Sequence, residues 1–290
     1  MIKVGLIGTR SSHGFMYSKV CNIPDENGNY KFDNIRVVAA YGVDDTAEHT
    51  KEVAERGNIE YIANSMEEMY EHCNAFMIIQ QIGSEHLKYA EEIIKKGYPV
   101  FIDKPVLSSK EDIEKLDKLA KEYDNVICGG SGLKFHRYVV ELKELVESGH
   151  FEDLRGGFIN HAADIDCEYE GIFFYLPHAV EMMLEIFGYN PISVNTMVQA
   201  HDNFTVNVRY EKQIVTLALS CRGPSYIVVN SKTGMVKEMD NEGIFLGGLI
   251  DFEERISNNI ITKDISKLVK HVEVIIAVNE SIKQGREIEI

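Results

Sequence analysis

Long hydrophobic runs are absent from this chain of 290 residues. No apolar segment approaches the ~18–20 residues that a helix needs to cross a bilayer. The first residues, Met-Ile-Lys-Val-Gly-Leu-Ile-Gly, are typical of a strand that enters a turn and not of a signal peptide. We therefore expect no membrane partner.

Cysteine is scarce as well. Its five copies are odd in number and widely separated, at positions 21, 73, 128, 167 and 221. This distribution disfavours a disulfide scaffold or a zinc site and suits reduced thiols. The sequence therefore predicts a cytoplasmic protein.

Positive charge is in deficit, because 30 Lys and Arg face 46 Asp and Glu, which gives a net charge of −16. An acidic surface repels the phosphate backbone of DNA and RNA. We expect no nucleic-acid partner.

The first half of the chain alternates apolar strands with helices. The strands are predicted at residues 3–7, 35–41, 61–63, 75–79, 98–102 and 126–128. Alternation of this kind implies a parallel, doubly wound sheet. We assign residues 1–124 to this α/β domain.

The second half has a different pattern. Phe204–Tyr210 alternates apolar and polar residues, as in an antiparallel sheet with one solvated face. Helices predicted at 138–148, 173–187 and 265–284 would cover the other face. We assign residues 125–290 to an α+β domain with a mostly antiparallel, open sheet.

The first strand ends in the loop Gly8-Thr9-Arg10-Ser11-Ser12-His13-Gly14. Glycines at such a turn let the backbone approach a dinucleotide pyrophosphate, which the following helix N-terminus stabilises. Here Arg10 and His13 stand where two further glycines are expected. One hypothesis is a modified phosphate site, in which Arg10 and the amides near Ser11 and Ser12 hold the anion. The alternative is an ordinary turn with a serine cap.

Two acidic residues, Asp44 and Asp45, follow the second strand. They could bind the ribose hydroxyls of a dinucleotide, or they could cap the next helix. Two carboxylates without a nearby Lys or Arg would repel a 2′-phosphate. If a cofactor binds, NAD is therefore favoured over NADP.

The tripeptide Asp103-Lys104-Pro105 closes the strand predicted at 98–102. The carboxyl ends of parallel strands face the ligand crevice, so Lys104 is predicted to point at a substrate. His86, near the start of the helix that follows the strand at 75–79, either faces the same crevice or caps its helix.

A second set of candidate residues lies on the helix predicted at 173–187. Tyr175, His178 and Glu181 fall at i, i+3 and i+6, close to one helix face. A histidine oriented by a carboxylate beside a phenol can move a proton at neutral pH. The alternative is a buried histidine with one satisfied hydrogen bond. Pro177 favours a position of His178 near the helix start.

Side chains of the types that bind metals occur together at one further place. They have no recognised metal-binding spacing and are typical of a solvated edge, so we expect no metal there; they are His161, Asp164, Asp166, Cys167 and Glu168.

Several of these motifs occur in an order that resembles one family. Gly5-Leu-Ile-Gly8, Asp103-Lys104-Pro105, Gly149-His-Phe-Glu-Asp-Leu154 and the helix around His178 are similar to motifs of the glucose–fructose oxidoreductase/inositol dehydrogenase (Gfo/Idh/MocA) family. The resemblance covers essentially the whole chain. It implies a Rossmann-type domain and an α+β domain whose open sheet supports a homodimer or homotetramer. The implied activity is NAD(P)-dependent oxidation or reduction of a sugar, polyol or related hydroxy or keto compound.

The resemblance also implies site residues. Lys104 and His178 match the family's lysine and histidine around the reacting carbinol, whereas Phe174 stands where the family has an aspartate. The residue patterns and the resemblance together give the predicted cofactor-binding residues, which are Gly8, Thr9, Arg10, Ser11, Ser12, His13, Asp44, Gln81, His86, Asp103 and Lys104.

The leading hypothesis is an NAD-linked oxidoreductase of a small carbohydrate-like molecule. In it Lys104 stabilises charge on the carbinol oxygen and His178 relays the proton, with Glu181 or Tyr175 orienting the imidazole. Two alternatives are a redox-inactive binding or regulatory subunit and a sugar lyase or isomerase that uses His178 and Glu181.

Overall fold

The computed structural model describes residues 1–290 and divides them into two compact units. The first unit comprises Met1–Leu107, Glu111–Gly130 and Phe245–Ile265, and the second comprises Ser108–Lys110, Ser131–Ile244 and Ser266–Ile290. The predicted domains, 1–124 and 125–290, differ from these units in three respects. Ser108–Lys110 belongs to the second unit, the chain leaves the first unit for the second after Gly130, and residues 245–265 return to the first.

The first unit is built on a six-stranded sheet in the order β3-β2-β1-β4-β5-β6. All neighbouring strands are parallel, which confirms the predicted doubly wound sheet. The strands are β1 Ile2–Ile7, β2 Ile35–Tyr41, β3 Tyr61–Ile62, β4 Ala75–Ile78, β5 Val100–Asp103 and β6 Ile127–Gly130. β4 and β5 are buried along their whole length, as expected of strands covered on both faces.

The helices that accompany this sheet are α1 Ser12–Asn22, α2 Ala47–Arg56, α3 Met66–His72, α4 His86–Lys95 and α5 Lys110–Glu122. Helix α3 has a serine cap, because the Ser65 hydroxyl accepts a hydrogen bond from the Glu68 amide at 3.3 Å. The Glu68 carboxylate accepts from the Asn64 amide at 2.8 Å, one residue before the amide that a standard capping box uses.

A further helix of the first unit comes from far along the chain. This helix, α8 Leu246–Ser257, follows a long excursion through the second unit, and no helix was predicted there. Leu249 and Phe252 are fully buried in the same apolar cluster as strands β1 and β2. The rings of Phe252 and Phe101 meet edge to face, with 5.9 Å between their centroids. The helix therefore completes the core of the first unit.

The second unit contains a seven-stranded sheet in the order β12-β11-β7-β10-β9-β8-β13. Only β7 and β10 pair in parallel, so the predicted mostly antiparallel sheet is confirmed. The strands are β7 Gly156–His161, β8 Ser193–Ala200, β9 Asn203–Arg209, β10 Ile214–Ser220, β11 Tyr226–Asn230, β12 Met235–Glu238 and β13 Ile288–Glu289.

One face of this sheet is buried and the other is open. Phe204, Val206 and Val208 are buried as predicted, on the face where helices α7 Ile172–Phe187 and α9 Ser266–Gln284 pack. Helix α6 Arg137–Glu147 packs against α7. The strand register puts a row of side chains on the opposite face, namely Tyr226, Asn160, Ala218, Thr205 and Met197. Met197 is 68% exposed.

None of the helices contains an apolar stretch long enough to span a membrane.

Candidate active site

The turn after β1 has a backbone that only glycine accommodates. Gly8 has φ +95°, in the left-handed region, and a Cβ there would lie 3.0 Å from the backbone nitrogen of Gln80. The turn thus lies against Gln80, the second residue after β4. This close approach brings the loop between β1 and α1 to the carboxyl edge of the parallel sheet, as predicted.

Helix α1 begins at this edge with a serine cap. The Ser11 hydroxyl accepts a hydrogen bond from the His13 amide at 3.2 Å, which is the alternative that we considered for this loop. The amides of Ser11 and Ser12 make no hydrogen bond within the protein, and the side chains of Arg10 and Ser12 are exposed. A capped helix start with free amides can still receive an anion, so the cap and the phosphate site are compatible.

The two carboxylates after β2 have different partners. Asp44 Oδ1 accepts a hydrogen bond from the Thr9 amide at 3.0 Å, and Asp44 Oδ2 is buried without a hydrogen-bond partner. Asp45 accepts from the Thr9 hydroxyl at 3.0 Å and pairs with His49. Neither aspartate caps α2, because the Thr46 hydroxyl does so. Asp44 is therefore held by the loop with one oxygen still able to accept a hydroxyl.

The ionisation of Asp45 is fixed by its surroundings. Burial raises the pKa of this carboxyl, but hydrogen bonds from His49, the Thr46 amide and Thr9 outweigh burial and lower the pKa overall. A carboxylate therefore stands beside Asp44 at neutral pH, and it adds to the negative charge at the end of β2.

Residues after β4 add further polar atoms to this edge. Gln80 Oε1 and Gln81 Oε1 are both buried without a hydrogen-bond partner. His86, the first residue of α4, is fully buried and its Nε2 lies 3.0 Å from the Gln80 carbonyl oxygen. His86 thus holds the segment that carries the two glutamines. Its side chain is fully buried, so it has no exposed surface for direct contact with a cofactor.

Asp103 and Lys104 end β5 in buried positions, 2% and 4% exposed. Asp103 accepts hydrogen bonds from His13 Nδ1 at 2.5 Å and from the Tyr17 hydroxyl at 3.2 Å. Burial raises the pKa of Asp103, but the charge and the hydrogen bond of His13 lower it further than burial raises it. The ionised Asp103 therefore ties α1 to β5, and Lys104 is the next residue.

The residues at this edge fit a dinucleotide. The free amides at the start of α1 suit a pyrophosphate, and the unpartnered oxygen of Asp44 suits a ribose hydroxyl. The negative pair Asp44 and Asp45 disfavours the 2′-phosphate that distinguishes NADP from NAD. Side chains that could hold the cofactor are Arg10, Ser12, Asp44 and Gln81, with the backbone of Gly8 and Ser11.

In the second unit, His178 lies inside α7 and not near its start. The helix begins at Ile172, and Pro177 is an interior residue of it, so the predicted placement of His178 is wrong. His178 Nδ1 lies 2.6 Å from the hydroxyl of Ser131, which immediately follows β6. The ring of His178 also meets the ring of His161 edge to face, with centroids 5.6 Å apart.

Glu181 does not contact His178 in the way the helical spacing suggested. Its carboxylate accepts a hydrogen bond from the Ser131 amide at 2.7 Å and pairs with Lys134 Nζ at 3.1 Å. Glu181 is buried and 3.7 Å from His271 Nδ1 on α9. The carboxylate thus anchors the segment 131–134 to α7, and the hydroxyl of Ser131 takes the orienting position that we had given to Glu181 or Tyr175.

Tyr175 and Phe174 form an aromatic patch on the same helix, with ring centroids 4.6 Å apart. Burial, followed by the neighbouring Cys167 and Cys221 thiols, raises the pKa of Tyr175, so its phenol stays protonated at neutral pH. The residues considered as metal ligands near His161 are not gathered, since no group of three or more His, Cys, Asp or Glu side chains is placed to hold a metal ion.

Sequence reasoning missed Ser131 and Lys134. One signal could have pointed to them: Ser131 follows β6 just as Lys104 follows β5, at the carboxyl edge where parallel sheets bind ligands.

The comparisons with known proteins agree with this architecture. Residues 2–131 match the family model GFO_IDH_MocA, described as "Oxidoreductase family, NAD-binding Rossmann fold". A search of curated protein sequences found no match.

Among solved structures, a probable dehydrogenase from Thermotoga maritima is 16% identical with a TM-score of 0.82, over 99% of this chain and 98% of that one. A putative myo-inositol dehydrogenase from Sinorhizobium meliloti 1021 is 14% identical with a TM-score of 0.81 over all of both chains. A scyllo-inositol dehydrogenase from Lactobacillus casei, solved with bound NAD(H) and scyllo-inositol, is 14% identical with a TM-score of 0.80, over 100% of this chain and 99% of that one. At such identities the likeness shows a shared fold.

Proposed function

Because residues 2–131 match the family model GFO_IDH_MocA, we propose that the chain is an NAD-dependent dehydrogenase of a polyol, sugar or related hydroxy compound. The observation that carries this proposal is the carboxyl edge of the first unit. There a left-handed Gly8, free amides at the start of α1 and an unpartnered Asp44 oxygen occur together. The inositol dehydrogenases among the structural neighbours support the substrate class.

The cofactor supplies hydride transfer when bound, and the chain's own residues would bind and orient it. Arg10 and the amides of Ser11 and Ser12 would hold the pyrophosphate, and Asp44 would accept a ribose hydroxyl. Asp103 would hold α1 in place through His13 and Tyr17, so that the anion-binding turn is preorganised.

We propose Lys104 and His178 as catalytic residues, each on the grounds of its own surroundings. Lys104 is a buried cation at the end of β5, suited to stabilise negative charge on the substrate oxygen. His178 Nδ1 is held by the Ser131 hydroxyl, and we propose that its imidazole acts on the substrate. Phe174 stands where the family resemblance implies an aspartate, so His178 would act without that carboxylate.

The test begins with binding and continues with turnover. The fluorescence of NADH should change when NADH binds the protein. Titration should show that NADH binds more tightly than NADPH. A panel of inositols, sugars and their keto forms, followed by NADH absorbance, should contain a substrate. Lys104→Met and His178→Ala should each abolish its turnover and leave NADH affinity within a few-fold.

Three outcomes would count against the proposal. Absence of binding by either nucleotide up to millimolar concentration would favour a redox-inactive subunit. Conversion of a sugar without net change in NADH would favour a lyase or isomerase. Full activity in both variants would move the reacting centre elsewhere.

A further inference from the structure

A histidine occupies one position of the turn after β1 where a dinucleotide site ordinarily has a glycine. His13 is the second residue of α1, and its amide donates a hydrogen bond to the Ser11 hydroxyl at 3.2 Å. The amide of this residue is therefore already used by the helix cap. Any contact that position 13 makes with a pyrophosphate must come from the imidazole.

The Asp103 carboxylate decides which nitrogen of His13 carries a proton. Asp103 is 2% exposed, and its Oδ2 lies 2.5 Å from His13 Nδ1. Burial raises the pKa of Asp103, but the charge and the hydrogen bond of His13 lower it overall. The carboxylate is thus ionised at neutral pH and can only accept a hydrogen bond. It follows that His13 carries a proton on Nδ1.

The other nitrogen of His13 has no partner in the protein. Nδ1 makes the ring's one hydrogen bond, and the side chain is 17% exposed. Two aromatic rings meet the imidazole edge on, that of Phe245 with 4.9 Å between the centroids and that of Tyr17 with 6.0 Å. Asp103 and the two rings therefore fix the orientation of the imidazole, and Nε2 is left for a ligand.

We infer that His13 is a pyrophosphate-binding residue of the cofactor site, which binds as an imidazolium with Nδ1–H donated to Asp103 and Nε2–H donated to a phosphate oxygen. The side chain then supplies the positive charge and the hydrogen bond that a glycine-lined turn supplies through its backbone amides. The inference rests on the proposed function in taking NAD as the dinucleotide. Binding of a pyrophosphate can nevertheless be measured without any turnover.

The alternative is that His13 only ties α1 to β5, and the two explanations differ in their dependence on pH. A neutral His13 presents a lone pair at Nε2, which repels a phosphate oxygen. An imidazolium between Asp103 and a pyrophosphate is stabilised by both negative groups. If His13 binds the pyrophosphate, the affinity should therefore fall as the pH rises and the imidazolium of the complex loses its proton.

Few other groups near His13 can produce such a pH dependence. The remaining ionisable side chains at the end of β5, in the turn and on the first two turns of α1 are Asp103, Lys104, Arg10 and Tyr17. Its neighbour from the segment before α8 is the apolar Phe245. Among these residue types, histidine is the one that ordinarily changes its charge between about pH 5 and about pH 8.

ADP-ribose tests the inference, because it contains the pyrophosphate and lacks the nicotinamide. Calorimetry should show that wild-type affinity for ADP-ribose falls between about pH 5 and about pH 8. His13→Gln removes the charge and keeps an amide that can donate to Asp103. At the lower pH this variant should bind ADP-ribose roughly 10- to 100-fold more weakly than the wild type, the loss expected of one hydrogen bond to a charged group. Its affinity should no longer depend on pH in this range.

His72→Gln is the matched control. His72 is an exposed histidine of the same unit that precedes β4, at the opposite edge of the sheet. This variant should keep both the wild-type affinity for ADP-ribose and its pH dependence. NMR of the wild-type histidine rings gives a second measurement that needs no variant to fold. One ring should keep its proton to a higher pH when ADP-ribose is bound.

The outcomes separate this inference from the proposed function. Equal affinity for ADP-ribose in His13→Gln and the wild type would overturn the role of His13 and leave the proposed function standing. Wild-type binding that does not change with pH, or histidine titrations that ADP-ribose does not move, would do the same. A wild type that binds neither ADP-ribose nor NADH would overturn both. Binding that depends on His13 without any NADH-linked turnover would support this inference and count against the proposed function.

Discussion

Single residues decide the cofactor edge of the first unit. Gly8 is required by its positive φ and by the 3.0 Å approach to the Gln80 backbone, so the glycine at this position could be predicted from the strand-to-turn pattern. Arg10 is exposed, and its contact with a pyrophosphate stays a prediction. The pattern could not predict that Asp44 and Asp45 have different hydrogen-bond partners, because both follow β2 at adjacent positions.

Arg10→Ala should weaken NADH binding by roughly 1–3 kcal/mol, the value of one charge-assisted contact. The reason is that Arg10 is exposed at the start of α1, where the pyrophosphate charge would lie. Fluorescence titration with NADH measures the change. Arg222→Ala, an exposed arginine of the second unit, is the control and should bind NADH as the wild type does. Equal affinity in both variants would remove Arg10 from the site.

The contacts of the candidate residues in the second unit could not be predicted from their own helix. The i, i+3 spacing of His178 and Glu181 is real, yet their partners come from residues 131 and 134, some fifty positions earlier in the chain. A serine after a strand carries no sign of the histidine that it will meet, since that contact depends on how residues 131–135 pack against α7. Helical spacing predicted the face but not the partner.

At the scale of elements, the link between β5 and α1 should make stability depend on pH. The pKa of Asp103 is lowered in the folded protein, so its ionised form stabilises the fold above its ordinary pKa of 3.8. That contribution should be lost as the pH falls through the lowered folded pKa. Chemical unfolding followed from neutral pH to below pH 3 should therefore show a loss of stability that Asp103→Asn does not share. An identical pH dependence in Asp103→Asn would contradict the assignment.

Helix α8 was not predicted from the sequence. Gly247 and Gly248 stand in its first turn, and glycine costs about 1 kcal/mol relative to alanine in a helix, so the local signal is weak. Burial of Leu249 and Phe252 against a sheet formed more than a hundred residues earlier outweighs that propensity. The alternating strands and helices of the first half were predictable because each carries its own periodic pattern.

Phe252→Ala should destabilise the first unit by about 3–5 kcal/mol, because the fully buried ring would leave a cavity beside Phe101. Ile250→Ala, on the same helix and 40% exposed, should change the free energy of unfolding by no more than about 0.5 kcal/mol. Denaturant unfolding measures both. Similar small losses in the two variants would mean that α8 contributes little to this core.

At the scale of the whole molecule, we expect the open sheet face of the second unit to bind a second copy of the chain. Met197 and Val236 on this face are 68% and 65% exposed, and Phe158 stacks on Tyr226 between them at 5.8 Å. Light scattering at micromolar concentration should give the mass of a dimer or tetramer. Met197→Glu should shift that mass towards the monomer, whereas Lys212→Glu, an exposed loop position, should not. A monomeric wild type would refute this expectation.

The return of residues 245–265 to the first unit has a consequence for how the protein is made. The sheet strands β1 to β6 leave the ribosome first, but the helix that covers their apolar cluster is synthesised only after residues 131–244. A nascent chain halted near Gly130 would hold every strand of its sheet and still expose the surface that Leu249 and Phe252 bury. A newly made first unit would therefore depend on chaperones while the intervening segment is translated. A fragment truncated at the end of β6 would expose this apolar surface and would not be a stable, soluble nucleotide-binding domain.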